Sequence, residues 1–142
     1  MSRLAAVALM LLAMPAAAAG TDDLRLAADA FGQALVSKQT GGLRKVLPGT
    51  GKVELSLDRL GPEDGAFGPS QVQALFRDFL GKGSVRSFEI HQVEGDGRVH
   101  GVVHARLALI DRDGRPARVG LHLAFQLEDG RWVLRGIKET SG

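Results

Sequence analysis

The chain has 142 residues, 44% of them hydrophobic, with 18 Lys and Arg against 16 Asp and Glu and no cysteine. That length can bury one real core, and the lack of cysteine excludes disulfides, thiol catalysis and a cysteine-linked lipid anchor. Charges alternate in sign, with Arg44-Lys45 the only adjacent basic pair, so nothing in the pattern points to nucleic acid.

The first residues differ from the rest. Met1-Ser2-Arg3 is a short basic start, residues 4–14 are apolar throughout, Pro15 breaks the run, and Ala17-x-Ala19 fits a small-residue cleavage pattern before Gly20. This is the layout of a secretory signal peptide, and its apolar run is too short to span a bilayer. Residues 1–19 are therefore expected to be a leader. Residues 20–142 are expected to form one soluble exported domain, periplasmic or extracellular, with no membrane contact after cleavage. Without Arg3, 17 basic residues face 16 acidic ones.

Residues 21–38 read as a helix, with Thr21 able to cap it and Leu24, Ala28, Phe31 and Leu35 forming one apolar stripe. Gly41-Gly42 interrupts it, and residues 43–47 read as a short second helix before Pro48-Gly49. Residues 52–59 alternate: Val53, Leu55 and Leu57 face one way, Glu54, Ser56 and Asp58 the other, as in a half-buried strand. Residues 61–68 are predicted to be a loop. Residues 70–80 form a helix pattern, with Ser70 and Gln73 as a capping box and Val72, Leu75, Phe76, Phe79 and Leu80 on its core face.

Residues 84–139 write out four extended runs separated by Asp96-Gly97, Asp113-Gly114 and Asp129-Gly130. Asp-Gly between alternating runs is a strong hairpin signal, because Gly accepts the positive φ of a tight turn. A two-residue first turn pairs Gly95 with Arg98 and Phe88 with Ala105. At the second, apolar residues meet only if the loop is odd in length, centred on Gly114, pairing Leu109 with Val119. A two-residue third turn pairs Leu127 with Trp132 and Phe125 with Leu134.

These registers fill the inner face with Phe88, Ile90, Val99, Gly101, Val103, Ala105, Leu107, Leu109, Val119, Leu121, Leu123, Phe125, Leu127, Trp132 and Leu134. Only Gln92 and Lys138 bring functional polarity inward. The outer face receives Glu89, His91, His100, His104, Arg106, His122 and Arg135, with Val102, Ala108, Ile110, Ala124, Val133 and Ile137.

The order of helix, short helix, strand, loop, helix and four antiparallel strands resembles the nuclear transport factor 2-like superfamily, which includes ketosteroid isomerase and the SnoaL-type cyclases. The likeness covers the whole domain. It lies in residues 31–36, VELSL at 53–57, GPSQVQALFRDFL before the meander and the ending GRWVLRGIKE. It is greatest to small exported members of unassigned function. It implies an α+β cone: N-terminal helices packed on a curved, mainly antiparallel sheet that ends in a four-strand meander. Enzymes of that superfamily need a carboxylate or an Asp-His pair inside the cone, and the predicted inner face holds neither. Glu63 or Asp64 is the acid that a loop could bring to the cone mouth.

Three groupings stand out. Phe67, Phe76, Phe79 and Trp132 either line a small apolar pocket, holding a small apolar ligand, or pack as ordinary core. Glu89, His91, His104, Arg106 and His122 form a polar cluster on the outer face. His100 and His104 are four apart on a strand, roughly 13 Å, and cannot share a metal. Across strands, His91, His104 and Glu89 are the alternative zinc ligands, but no zinc-binding spacing is present and Arg106 would repel a cation, so no metal and no cofactor is expected. The apolar stripe on the outer face suits a homodimer interface. The sequence thus predicts a non-catalytic binding or interaction module, with a small isomerase or hydrolase of the ketosteroid isomerase or SnoaL type as the alternative.

Overall fold

The computed structural model describes residues 16–96 and 98–141. The predicted leader lies outside the described residues except for its last four, which form the start of helix α1, Ala16–Val36. The helix thus begins before Thr21, in a run of alanines, the strongest helix formers. Its stripe of Leu24, Ala28, Phe31 and Leu35 is buried. Gly32 lets α1 approach the sheet closely: a Cβ there would stand 2.2 Å from the Phe88 ring.

A 3-10 helix, Thr40–Lys45, follows in place of the predicted turn of helix at 43–47. Strand β1 is Val53–Ser56, with Val53 and Leu55 inward and Glu54 and Ser56 outward as the alternation requires. Strand β2, Asp64–Phe67, pairs antiparallel with β1, where the sequence predicts a loop. Helix α2 spans Pro69–Lys82. Its cap is Gly68, whose N–H donates to the Gln71 side chain at 2.8 Å, so the cap lies two residues ahead of the predicted Ser70–Gln73 pair. Val72, Phe76, Phe79 and Leu80 face the core.

The meander comprises β3 (Ser84–Gly95), β4 (His100–Ile110), β5 (Pro116–Glu128) and β6 (Arg131–Ser141). The six strands run in the order β2-β1-β6-β5-β4-β3. All neighbours are antiparallel except β1 and β6, which are parallel. The helices cover one face, and Phe31 meets Phe76 edge-on at 5.7 Å between ring centroids.

The third hairpin has the predicted register, with Leu127 opposite Trp132 and Phe125 opposite Leu134. Asp129 and Gly130 both take positive φ, as a two-residue hairpin turn demands. The second loop is odd in length as predicted, but Ile110 pairs with Pro116, which centres it on Asp113 rather than Gly114. The Asp111 side chain sets that length by accepting the N–H groups of Asp113 and Arg115, each at 2.9 Å. The first turn departs from the two-residue prediction: Gly95 pairs with Gly101. Asp96 Oδ1 accepts from the N–H groups of Arg98, Val99 and His100 at 2.8, 3.0 and 3.2 Å, holding a wider loop. Val99, predicted inward, sits in that loop and is 44% exposed. Gly97 lies outside the described residues.

Three bulges complete the corrections. Arg86 and His91 are extra residues in β3, and Arg135 is extra in β6. An extra residue reverses the side-chain alternation beyond it. Gln92 and Lys138, predicted inward, therefore face outward opposite His104 and His122. Ile137, predicted outward, turns in opposite Leu123 and is buried. Val133 is buried as well, so the apolar stripe of the outer face loses two of its larger members.

Candidate functional site

Inside the sheet, Leu107, Leu109, Leu121, Leu123, Phe125 and Leu134 are fully buried. Phe76, Phe79 and Trp132 belong to this core, and Phe67 lies half-buried at its margin on β2. The Arg135 bulge brings one acid to the inner face that the regular alternation hides: Glu139, opposite Leu121. Its carboxylate accepts the backbone N–H of Asp58 and, at 2.8 and 3.0 Å, that of Arg59. Both oxygens thus hold the connection between β1 and β2. Burial raises the Glu139 pKa above the usual carboxylate value, while these amides pull it down. The adjoining cleft, about 450 Å³, is lined by Asp58, Arg59, Pro116, Arg118 and Thr140 beside Glu139.

The other inner or half-buried charges also serve the fold. Asp111, 8% exposed, closes the β4–β5 loop and meets Arg59 at 3.5 Å. Arg135 holds Glu128 at two points, 2.7 Å each, and donates to the carbonyls of Thr50 and Lys52 at 3.2 and 3.1 Å. Of the two acids considered for the cone mouth, Asp64 is an exposed β2 residue opposite Ser56, and the Glu63 carbonyl accepts from Leu57 N–H.

The outer face is organised differently. One row of directly opposed residues crosses all six strands: Asp64, Ser56, Lys138, His122, His104 and Gln92. The next row is Ala66, Glu54, Gly136, Ala124, Val102 and Glu94. Small residues at the middle of the second row leave a trough of about 420 Å³. Gly136, Ala124 and Val102 line it together with Lys138 and His122 at one side and Glu54 and Asp64 at the other. Among the described residues, Glu54, Asp64 and Lys138 form no ion pair and no side-chain hydrogen bond.

Of the predicted polar cluster, the structure brings His104 and His122 together, edge to face at 4.2 Å between ring centroids. Glu89 and Arg106 face each other one row away, and His91 is the exposed bulge residue. Glu94 is the member that sequence reasoning missed. Its Oε2 meets His104 Nε2 at 2.8 Å, and its Oε1 accepts from the Gln92 amide at 2.7 Å. Burial first, then the neighbouring His104 and Lys138, hold the His122 pKa below the ordinary histidine value. These effects favour the neutral form of the His122 ring. Among the described residues no three His, Asp or Glu groups converge as a metal site. No helix there is long and apolar enough to cross a membrane.

No protein-family profile matches the chain, and no curated protein matches it by sequence. Solved structures do. A Kribbella flavida protein superposes with a TM-score of 0.71 at 14% identity, over 89% of this chain and 93% of its own. An LEH-like epoxide hydrolase of M. tuberculosis gives 0.61 at 20% identity, over 86% and 80%. A Nostoc punctiforme protein of unknown function with a cystatin-like fold gives 0.59 at 12% identity, over 84% and 89%. The fold is therefore the nuclear transport factor 2-like, cystatin-like α+β cone. That class includes both an enzyme and proteins of unassigned role, so the site and not the fold must carry the function.

Proposed function

We propose that this chain is an exported, non-catalytic binding module that holds its ligand in the trough on the outer face of the sheet. One observation carries the reading: charges near the core are engaged in holding loops, whereas Glu54, Asp64 and Lys138 stand unpaired around an apolar floor. Opposite charges on two walls fit a ligand that itself bears both signs. β2 and β6 are two strand spacings apart, roughly 10 Å, which is the reach of about three extended residues. The ligand class is a short zwitterionic peptide or a molecule of that shape.

Calorimetric titration with trialanine tests this. Trialanine is expected to bind, tenfold or more weakly to Lys138→Ala and to Glu54→Ala. N-acetyl-trialanine amide, which lacks both charges, is expected not to bind. No heat with trialanine, or binding indifferent to both substitutions, contradicts the proposal.

A second copy of the chain is the other occupant this mixed-charge face suits, and Val102, Ala108, Ile110 and Ala124 would lie within such an interface. Sedimentation would then give a dimer that Lys138→Glu dissociates. The competing enzymatic reading, a small isomerase or hydrolase, requires Glu139 to leave its backbone partners.

A further inference from the structure

The outer face has a second cleft, toward the β4–β5 hairpin, about 470 Å³ in volume. Its outer-face floor is Ala108, Ile110 and Pro116, the inward Leu109 and Ala117 also bordering it, and its polar side chains are Arg86 and Arg118. Ala108 lies directly opposite Arg118, and Ile110 opposite Pro116. Arg86 is the extra residue of the first β3 bulge, so it is freed from the strict alternation of its strand. The two arginines stand on β3 and β5 with the short side chain of Ala108 on the strand between them.

Two other arginines near this end have acids: Arg59 meets Asp111 at 3.5 Å, and Arg112 meets Asp78 at 3.4 Å. Arg106 faces Glu89 across the strands without an ion pair among the described residues, and both line a small neighbouring cleft of about 100 Å³ that Arg118 also borders. Arg86 and Arg118 form no ion pair among the described residues, and both are exposed. Two unpaired guanidinium groups over an apolar floor are complementary to a small amphipathic anion. Guanidinium binds carboxylate through paired N–H donors, and a cleft of this size admits a small apolar body.

We propose that this cleft binds a small amphipathic monocarboxylate, its head between Arg86 and Arg118 and its apolar chain along Ala108, Ile110 and Pro116. The site is separate from the central trough and does not depend on the zwitterion reading.

Octanoate is the probe, followed by calorimetry and by amide shifts of Ala108, Ile110 and Ala117. Acetate has the head without the chain, and octanol the chain without the head. Octanoate is expected to bind and to shift those amides. Arg86→Gln and Arg118→Gln are each expected to weaken it about tenfold, and Ala108→Leu, which fills the floor, to abolish it. Acetate and octanol are expected to bind at least tenfold more weakly than octanoate. Because both arginines are exposed, the variants should melt within a few degrees of wild type, which separates lost binding from lost folding. Absence of octanoate binding, or equal binding by the double glutamine variant, overturns the proposal. So does acetate or octanol matching octanoate, since the cleft would then be only a charged patch or only a greasy one.

Discussion

Arg135 and Glu128 face each other across the β5–β6 hairpin and join at two points, Nε to Oε2 and Nη2 to Oε1, both at 2.7 Å. Arg135 is also the extra residue of the β6 bulge. The fork that holds Glu128 therefore fixes the place where the strand reverses its alternation. Downstream of it, Ile137 and Glu139 face the core and Lys138 faces His122. The trough owes its cation, Lys138, and the inner face its acid Glu139, to this one irregularity.

Removal of the fork should be felt in stability. Arg135→Ala leaves the carbonyls of Thr50 and Lys52 without their donor, a loss of about 1–2 kcal/mol. Arg135→Lys should recover little, since an ammonium cannot reproduce the planar fork. Urea denaturation of the three proteins checks this, and a lysine variant as stable as wild type would contradict it.

The close approach of α1 to β3 gives a packing prediction. Gly32→Val places carbon where the Phe88 ring stands, and Gly101→Val does the same against Leu24, whose Cδ2 lies 2.3 Å from where a Cβ would stand. Overpacking of this kind costs roughly 1–3 kcal/mol each. Phe88→Leu in the Gly32→Val background should return part of the loss, measured by thermal melting.

Acid stability depends on Asp96. Three backbone N–H groups hold its carboxyl down at about 2. A depressed carboxylate contributes stability above its unfolded value, near 3.8, and that contribution is lost as pH falls through the folded value. The melting difference between wild type and Asp96→Ala should be full at pH 5 to 7 and shrink between about pH 4 and 2. A difference that stays constant to pH 2 would show that the turn does not rest on the ionised group.

Glu139 behaves in the opposite sense. Its raised pKa means that the folded chain favours the protonated carboxyl, so its contribution is present at low pH and lost as pH rises through the folded value. Glu139→Gln, always neutral, should therefore gain in melting temperature relative to wild type as pH rises above about 4.5.

His122 should titrate below 6.5 in an NMR titration of the imidazole protons. Its stability contribution is then lost as pH falls through that lowered value. Lys138→Met should move the titration up, and Glu94→Gln should move it further down, because Lys138 lowers and Glu94 raises it.

Much of this fold is legible in the chain because its signals are local. Asp129-Gly130 sets the third register, since only residues tolerant of positive φ fit a two-residue turn. The parity of the second loop follows from matching apolar residues across the strands. The first turn is not legible: the dipeptide is the same, but the Asp96 side chain gathers three amides and widens the loop. Strand β2 is hidden because Asp-Gly-Ala-Phe has no alternation and pairs through its backbone alone. The bulges are hidden for a related reason: an extra residue is settled by tertiary partners, as Arg135 is by Glu128 and two carbonyls. Strand alternation in the sequence puts His104 and His122 on the outer face, whereas the bulges alone bring Lys138 and Gln92 opposite them and Glu94 against His104.

The most direct test of the central claim is amide mapping by NMR while trialanine is added to the protein. The largest shifts are expected at Ser56, Val102, Ala124, Gly136 and Lys138, on the outer face. Shifts concentrated at inner-face positions such as Leu107, Leu121 and Phe125, or none at all, would contradict it.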